Sequence, residues 1–170
     1  MVSGPPASGK TTYATRLAND LGALLLDSDL VAERLVRAGL LLAGMDPNDR
    51  DSPRYKQAYR DTVYETLFDL AASHLHRGPV VIAGPFTSEG GREEWPAELE
   101  ARLGRAPELH FVYCPPDERR ARVESRGAER DRPKLGAWDS YVSTCREEAP
   151  VWPHHWVDGR KLKLVDPGGS

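Results

Sequence analysis

A chain of 170 residues with 39% hydrophobic and 29% charged side chains has the material for one domain, 1–170, with a sizeable core. Its net charge of −3 gives no overall positive field of the kind a nucleic-acid or anionic-membrane binder carries. No apolar run approaches the ~18 residues of a membrane span and no signal-peptide pattern opens the chain, so a cytoplasmic protein is expected. Cys114 and Cys145 are the only cysteines and lie outside any paired-cysteine metal spacing, which favours free thiols.

Met1 to Ser3 has room only for the end of a strand. Gly4-Pro5-Pro6-Ala7-Ser8-Gly9-Lys10-Thr11 then fits the phosphate-binding pattern G-x-x-x-x-G-K-[ST] without a mismatch. The two glycines allow a turn tight enough for successive N–H groups to face phosphate oxygens. Lys10 is placed to reach the β- and γ-phosphates, the Thr11 hydroxyl to ligate magnesium, and Thr12 to lie beside them. A helix from Lys10 adds its unpaired amides and positive dipole end. A glycine turn that matches by accident is the plain alternative. Tyr13, Ala14, Leu17, Ala18 and Leu21 on one helical face, closed by Gly22, favour nucleotide binding over it.

Ala23 to Leu26 is a short apolar run with the signature of a buried strand, and it ends in Asp27-Ser28-Asp29. If strand geometry persists, alternation points both carboxylates to one side, at the carboxyl edge where open α/β sheets place their chemistry. The other possibility is that Ser28 or Asp29 caps the next helix, expected from Leu30 to Ala38, with Asp27 in a solvated turn. Gly39 to Ser52 reads as a connection, either a substrate-covering segment or a simple loop. Ser52-Pro53 reads as an N-cap and first-turn proline opening a helix to about Arg77, and His74 and His76 on it are surface or packing residues.

Pro79 to Ala83 is a second buried strand, followed by Gly84-Pro85-Phe86-Thr87. Many nucleotide hydrolases end this strand with an acid that helps hold magnesium. Here none is present, which leaves Asp27 as the candidate metal acid beside Thr11. Phe86 and Thr87 are placed to touch substrate, with core packing of Phe86 equally expected. Glu93 to Leu103 reads as a helix, Glu108 to Tyr113 as a strand, and Pro115-Pro116 as the start of another helix.

From Asp117 to Lys134 there are seven basic and five acidic side chains, a net of 7 − 5 = +2. Arg122, Arg126 and Arg130 are four apart, and Gly127 permits a hinge. Such a row suits a lid, about 122–136, closing over a triphosphate, with a solvated helix face as the plain alternative. Ala137 to Glu148 reads as a helix and Lys161 to Val165 as the last strand. Pro150 to Trp156 reads as a rigid aromatic link whose adjacent histidines lack a third ligand for zinc.

Alternating strands and helices, a phosphate loop after the first strand and an arginine-rich segment after the fourth resemble the small P-loop kinases. Their relatives include the shikimate and gluconate kinases, the chloramphenicol and zeta-toxin phosphotransferases and the AAA-type small kinases. The resemblance implies an α/β, three-layer P-loop NTPase fold with a parallel sheet of about five strands, helices on both faces and a helical arginine lid. It implies ATP and magnesium as cofactors and phosphate transfer to an alcohol group of a small molecule. In the shikimate kinase group an Asp-x-Asp follows the second strand; Asp27 matches the acid near magnesium and Asp29 the one that holds the substrate hydroxyl. Arg132-Pro133 resembles that group's lid motif. Lys10, Asp29, Arg126 and Arg130 are thus expected to be catalytic, with Arg122, Arg126 and Arg132 on the nucleotide. A 5′-hydroxyl polynucleotide kinase and a non-catalytic nucleotide-binding module remain alternatives; nucleic acid is the less expected partner, because the chain is net acidic.

Overall fold

A computed structural model describes residues 1–50, 52–127 and 131–162. Five parallel strands form one sheet in the order β2-β3-β1-β4-β5. They are β1 (Val2–Ser3), β2 (Leu24–Asp27), β3 (Val80–Ala83), β4 (His110–Tyr113) and β5 (His155–Asp158). The two residues of β1 suffice as the central strand because both neighbours register on them: Val2 pairs with Ala83 and His110, and Ser3 with Phe111. That puts the carboxyl end of β1, where the chain order reverses, at the crevice in which such sheets bind ligands.

The alternation of each strand divides the core into two layers. On one face Val2, Val81, Ala83 and Val112 pack with Ala14 and Ala18 of α1 (Lys10–Leu21). On the other, Leu26, Ile82 and Phe86 pack with Leu67 and Phe68 of a central helix and with Trp95 and Leu99 of α5 (Trp95–Leu103). With helices on both faces the architecture is the three-layer α/β arrangement. Helix α1 ends in a Schellman motif: Gly22 is left-handed (φ 58°), its N–H bonds Asn19 O, and the Ala23 N–H bonds Ala18 O at 2.8 Å.

Four elements differ from the sequence expectation. Helix α2 runs Ser28–Leu42, past the expected stop. Gly39 lies inside it because a Cβ there would stand 2.2 Å from the Tyr59 hydroxyl, so this glycine serves close packing rather than termination. The helix opened by Ser52 is interrupted: α3 (Pro53–Tyr55) passes through a π turn (Lys56–Arg60) into α4 (Asp61–His74), and the chain beyond His74 is a turn. Its cap is as expected, Ser52 Oγ accepting the Tyr55 N–H at 3.1 Å. The fifth strand is His155–Asp158, within and just after the expected aromatic link, whereas Lys161 lies in a 3-10 turn and 163–165 fall outside the described residues. Beyond β4, α6 (Pro116–Arg126) is followed by α7 (Arg132–Gly136) and α8 (Trp138–Thr144), which is shorter than expected. No helix among the described residues is long and apolar enough to cross a membrane.

Candidate active site

The loop from Gly4 to Gly9 leaves β1 and enters α1 with three left-handed residues, Gly4 (φ 143°), Ala7 (φ 61°) and Gly9 (φ 102°). Gly4 is obligatory, but for a reason other than phosphate approach: a Cβ there would stand 2.2 Å from the Val112 carbonyl oxygen of β4. Pro5 and Pro6 have no N–H to offer an anion; they fix φ and contribute carbonyls. Four amides remain, because Ala7, Gly9, Lys10 and Thr11 have no N–H acceptor among the described residues. Gly9 supplies no side-chain cap to α1, so the Lys10 and Thr11 amides at the start of this 12-residue helix are kept for a ligand. This donor set fits a polyphosphate.

Lys10 folds back over the loop, its Nζ donating to Pro5 O at 2.7 Å. Burial pulls its pKa down from 10.5 to about 8, against the opposing influence of Asp29 and Asp27, while the Arg119 charge adds to the fall. Both acids therefore share the neighbourhood of the lysine, although not through strand alternation. β2 stops at Asp27, whose carboxylate caps α2 by accepting the Asp29 N–H at 2.9 Å through Oδ1. Its other oxygen, Oδ2, accepts from Thr11 Oγ1 at 2.8 Å. Asp27 is buried, whereas Asp29, in the first turn of α2, is exposed. A hydroxyl and a carboxylate held this close fit a magnesium ion, which keeps several water and phosphate ligands and needs only one or two from protein. Among the described residues no group of three or more His, Cys, Asp or Glu could hold a metal by itself.

Beyond β3, Phe86, expected either at the substrate or in the core, is core: 1% exposed, its ring 4.6 Å from that of Tyr64 and 5.5 Å from that of Trp95. Its backbone is left-handed (φ 45°), a strained state for an aromatic residue, and its N–H donates to Tyr64 Oη at 3.2 Å. Thr87, half-buried, is the one of the pair with an accessible side chain. Arg60, in the π turn, ties this loop down by bonding Ser88 and both oxygens of Glu89, the latter at 2.8 Å.

The arginines do not form one row. Helix α6 closes at Gly127 (φ 60°), so Arg122 and Arg126 share it, and Arg130 lies outside the described residues. Arg122 donates to the Ser8 carbonyl at 3.1 Å and to the Gly159 carbonyl at 2.8 Å. Arg126 grips Asp131 Oδ2 with Nε at 3.0 Å and Nη2 at 2.6 Å, and Arg132 opens α7 exposed to solvent. Sequence reasoning missed Arg119, which is fully buried, donates to Pro6 O at 3.2 Å and pairs with Glu147. The signal was there: Arg119 and Val123 are four apart on the buried stripe of α6, where a charge is out of place.

A family model described as an AAA domain matches residues 1–147. Over 55 residues, 32% of the chain, it is 46% identical to a cytidylate kinase of Aeropyrum pernix, and the match covers 32% of that protein. Over 51 residues, 28% of the chain, it is 47% identical to a shikimate kinase of Corynebacterium diphtheriae, with 30% of that protein covered. The chain thus spans about a third of the length of the curated relatives it matches. Among solved structures, a Chloroflexus aurantiacus protein assigned to the kinases superposes over 97% of this chain and 86% of its own, with a TM-score of 0.66 and 21% identity. A sugar kinase from a Janibacter species superposes over 94% and 84%, with a TM-score of 0.59 and 16% identity. At such identities the likeness concerns the fold.

Proposed function

The chain belongs to this AAA domain family of small P-loop proteins, and from that premise we propose that it transfers the γ-phosphate of ATP to a hydroxyl of a small polar molecule, with magnesium. The observation that carries the proposal is the Thr11–Asp27 pair at 2.8 Å beside Lys10, in a loop with four amides that have no acceptor among the described residues. Bound ATP and magnesium would supply the phosphoryl group and neutralise charge on its oxygens. The Ala7, Gly9, Lys10 and Thr11 amides with the Lys10 ammonium would hold the phosphates, and Thr11 and Asp27 the metal. Asp29, exposed at the edge of the crevice, would orient the acceptor hydroxyl and take its proton as oxygen attacks phosphorus and the bond to ADP breaks. Thr87 would line the acceptor side. Arg126, once released from Asp131, and Arg130 would meet charge on the transferring group, and Arg132 is a further candidate from the lid. Shikimate and sugars, the substrates named for two of the similar proteins, are hydroxyl-bearing molecules of the class proposed.

The test is a mass-spectrometric screen of cell extract for metabolites that gain phosphate when protein, ATP and magnesium are added. Acceptor-dependent ADP release is expected. ATP binding without such release across the panel would leave a nucleotide-binding module, and phosphate gained only by 5′-hydroxyl RNA would make it a polynucleotide kinase.

A further inference from the structure

Every carbonyl oxygen from Pro5 to Gly9 accepts a hydrogen bond. Pro5 O accepts from Lys10 Nζ, Pro6 O from Arg119 Nη1 at 3.2 Å, Ala7 O and Ser8 O from Arg122 Nη1 at 3.4 and 3.1 Å, and Gly9 O from the Tyr13 N–H at 3.0 Å. In a trans peptide the C=O of one residue and the N–H of the next point to opposite sides. Two guanidinium groups that draw the Pro6 and Ser8 carbonyls one way therefore turn the Ala7 and Gly9 amides the other way, while the Ser8 N–H between them stays inside the loop on Pro5 O at 3.3 Å. Arg119 and Arg122 lie three apart on α6, so one helix face presents both.

Of the two, Arg119 is the one that cannot be reaching for a nucleotide, since it has no exposed surface. Its other arm pairs with Glu147, and Arg119 Nε and Glu147 Oε2 are both buried without a partner among the described residues. A fully buried guanidinium whose Nε is unsatisfied and whose partner carboxylate is only partly buried is a poor device for stability; an apolar side chain of similar volume would serve as well or better. What an apolar side chain would not do is hold the Pro6 carbonyl.

We propose that Arg119 is a positioning residue: held by Glu147 and acting with Arg122, it pins the carbonyl side of Pro6-Ala7-Ser8 so that the loop's amides are preset for a polyphosphate. The inference rests on the phosphate-binding reading above. Its positive charge next to Lys10 works in the same direction, since it adds to the field an incoming anion meets. The contact also ties both flanks of the 122–136 segment to the loop, because Arg119 precedes it on α6 and Glu147 follows it.

The test compares wild type with Arg119→Leu, Arg119→Lys and Glu147→Gln, using inorganic tripolyphosphate as the probe. Calorimetry gives its affinity at a temperature where circular dichroism shows each protein folded, and thermal midpoints are recorded separately. Arg119→Leu is expected to weaken tripolyphosphate at least about tenfold, the loss of one charge-assisted hydrogen bond and its ordering effect. Arg119→Lys keeps the charge but not the two-armed fork, and Glu147→Gln keeps Arg119 but loosens it; both are expected to weaken binding severalfold. A purely structural role would lower the midpoints and leave the affinity of the folded protein alone. Wild-type affinity in folded Arg119→Leu overturns the inference. If that variant does not fold, wild-type affinity in both Arg119→Lys and Glu147→Gln overturns it instead. Wild-type protein that binds neither tripolyphosphate nor ATP overturns the nucleotide reading as well, a result visible before any variant is made.

Discussion

The carboxyl edge of the sheet has two halves held by different kinds of contact. Around the phosphate loop the holding atoms are main-chain carbonyls and fully buried groups: Val112 O against Gly4, and Arg119 against Pro6. Around β2 and β3 they are side chains near the surface: Arg50 on Glu33 at 2.9 Å, Arg60 on Glu89, and an exposed Asp29. The difference matches what the proposed function would ask each half to recognise. Phosphates are common to every nucleotide and can be read by backbone amides, which no substitution other than proline removes. An acceptor differs from enzyme to enzyme, and side chains on a π turn and a loop can change without disturbing the sheet.

The sharpest way to break that contrast is at the loop. Gly4→Ala should cost more than about 3 kcal/mol, because a methyl group must displace a sheet carbonyl at a φ that alanine rarely adopts. Chemical denaturation would measure it, and a loss below 1 kcal/mol would mean that β4 yields and that the loop is less constrained than its contacts imply. Asp29→Asn tests the other half. Turnover should fall by about 10² to 10⁴ with ATP affinity held within about twofold, as expected for a group that acts on the acceptor proton alone. Equal losses in both would place Asp29 with the nucleotide instead.

The same division decides what could be read from sequence. The loop was legible because its demands are local: glycines at fixed spacing, a lysine and a threonine, then an amphipathic helix. The Ser52 cap was legible for the same reason. Gly39 misled because a glycine inside a helix and a glycine after one look alike until Tyr59 is seen to fill the space. The fifth strand was hidden in a run of aromatic and histidine residues, where Trp156 lies against Tyr113 and His155 stacks on His110 across the pair of strands. Arg119 was overlooked because charges in a mixed-charge helix are presumed solvated, and its role depends on Pro6, 113 residues away. Asp27 and Asp29 both lie near Lys10, but through a helix cap, Asp27 accepting the Asp29 N–H, rather than through strand alternation.

A pH titration sharpens the contrast at moderate size. With Lys10 near 8 in the free protein and 10.5 unfolded, the folded state holds fewer protons between those values, so this group's contribution to stability rises as pH rises through that window. Polyphosphate affinity should move the opposite way, falling by up to about tenfold per pH unit above 8, since binding must restore the proton to the ammonium. Calorimetry at pH 8.5 in buffers of differing ionisation enthalpy should show uptake approaching one proton. Affinity that stays flat from pH 7 to 9.5 would mean that Lys10 keeps its charge in the free protein.

The smallest effect is the most selective one. Ser52 caps a helix whose later turns supply Tyr64, Leu67 and Phe68 to the core and whose first turn lies in the half proposed for the acceptor, with Arg50 lying 5.5 Å over the Tyr55 ring and Tyr55 stacked on Tyr59. Ser52→Ala removes one hydrogen bond to the Tyr55 N–H, worth about 1 kcal/mol, and should lower the thermal midpoint by about 3 °C. Among the described residues no hydrogen bond of the phosphate loop runs to that turn, so tripolyphosphate affinity should stay within about twofold of wild type. If affinity falls with the cap, the two halves are mechanically joined through α2, whose first turn carries Asp29 and whose Gly39 receives Tyr59. Unchanged affinity beside a lowered midpoint would instead show that the acceptor half can loosen while the cradle keeps its shape, as a fixed nucleotide site beside a variable acceptor site requires.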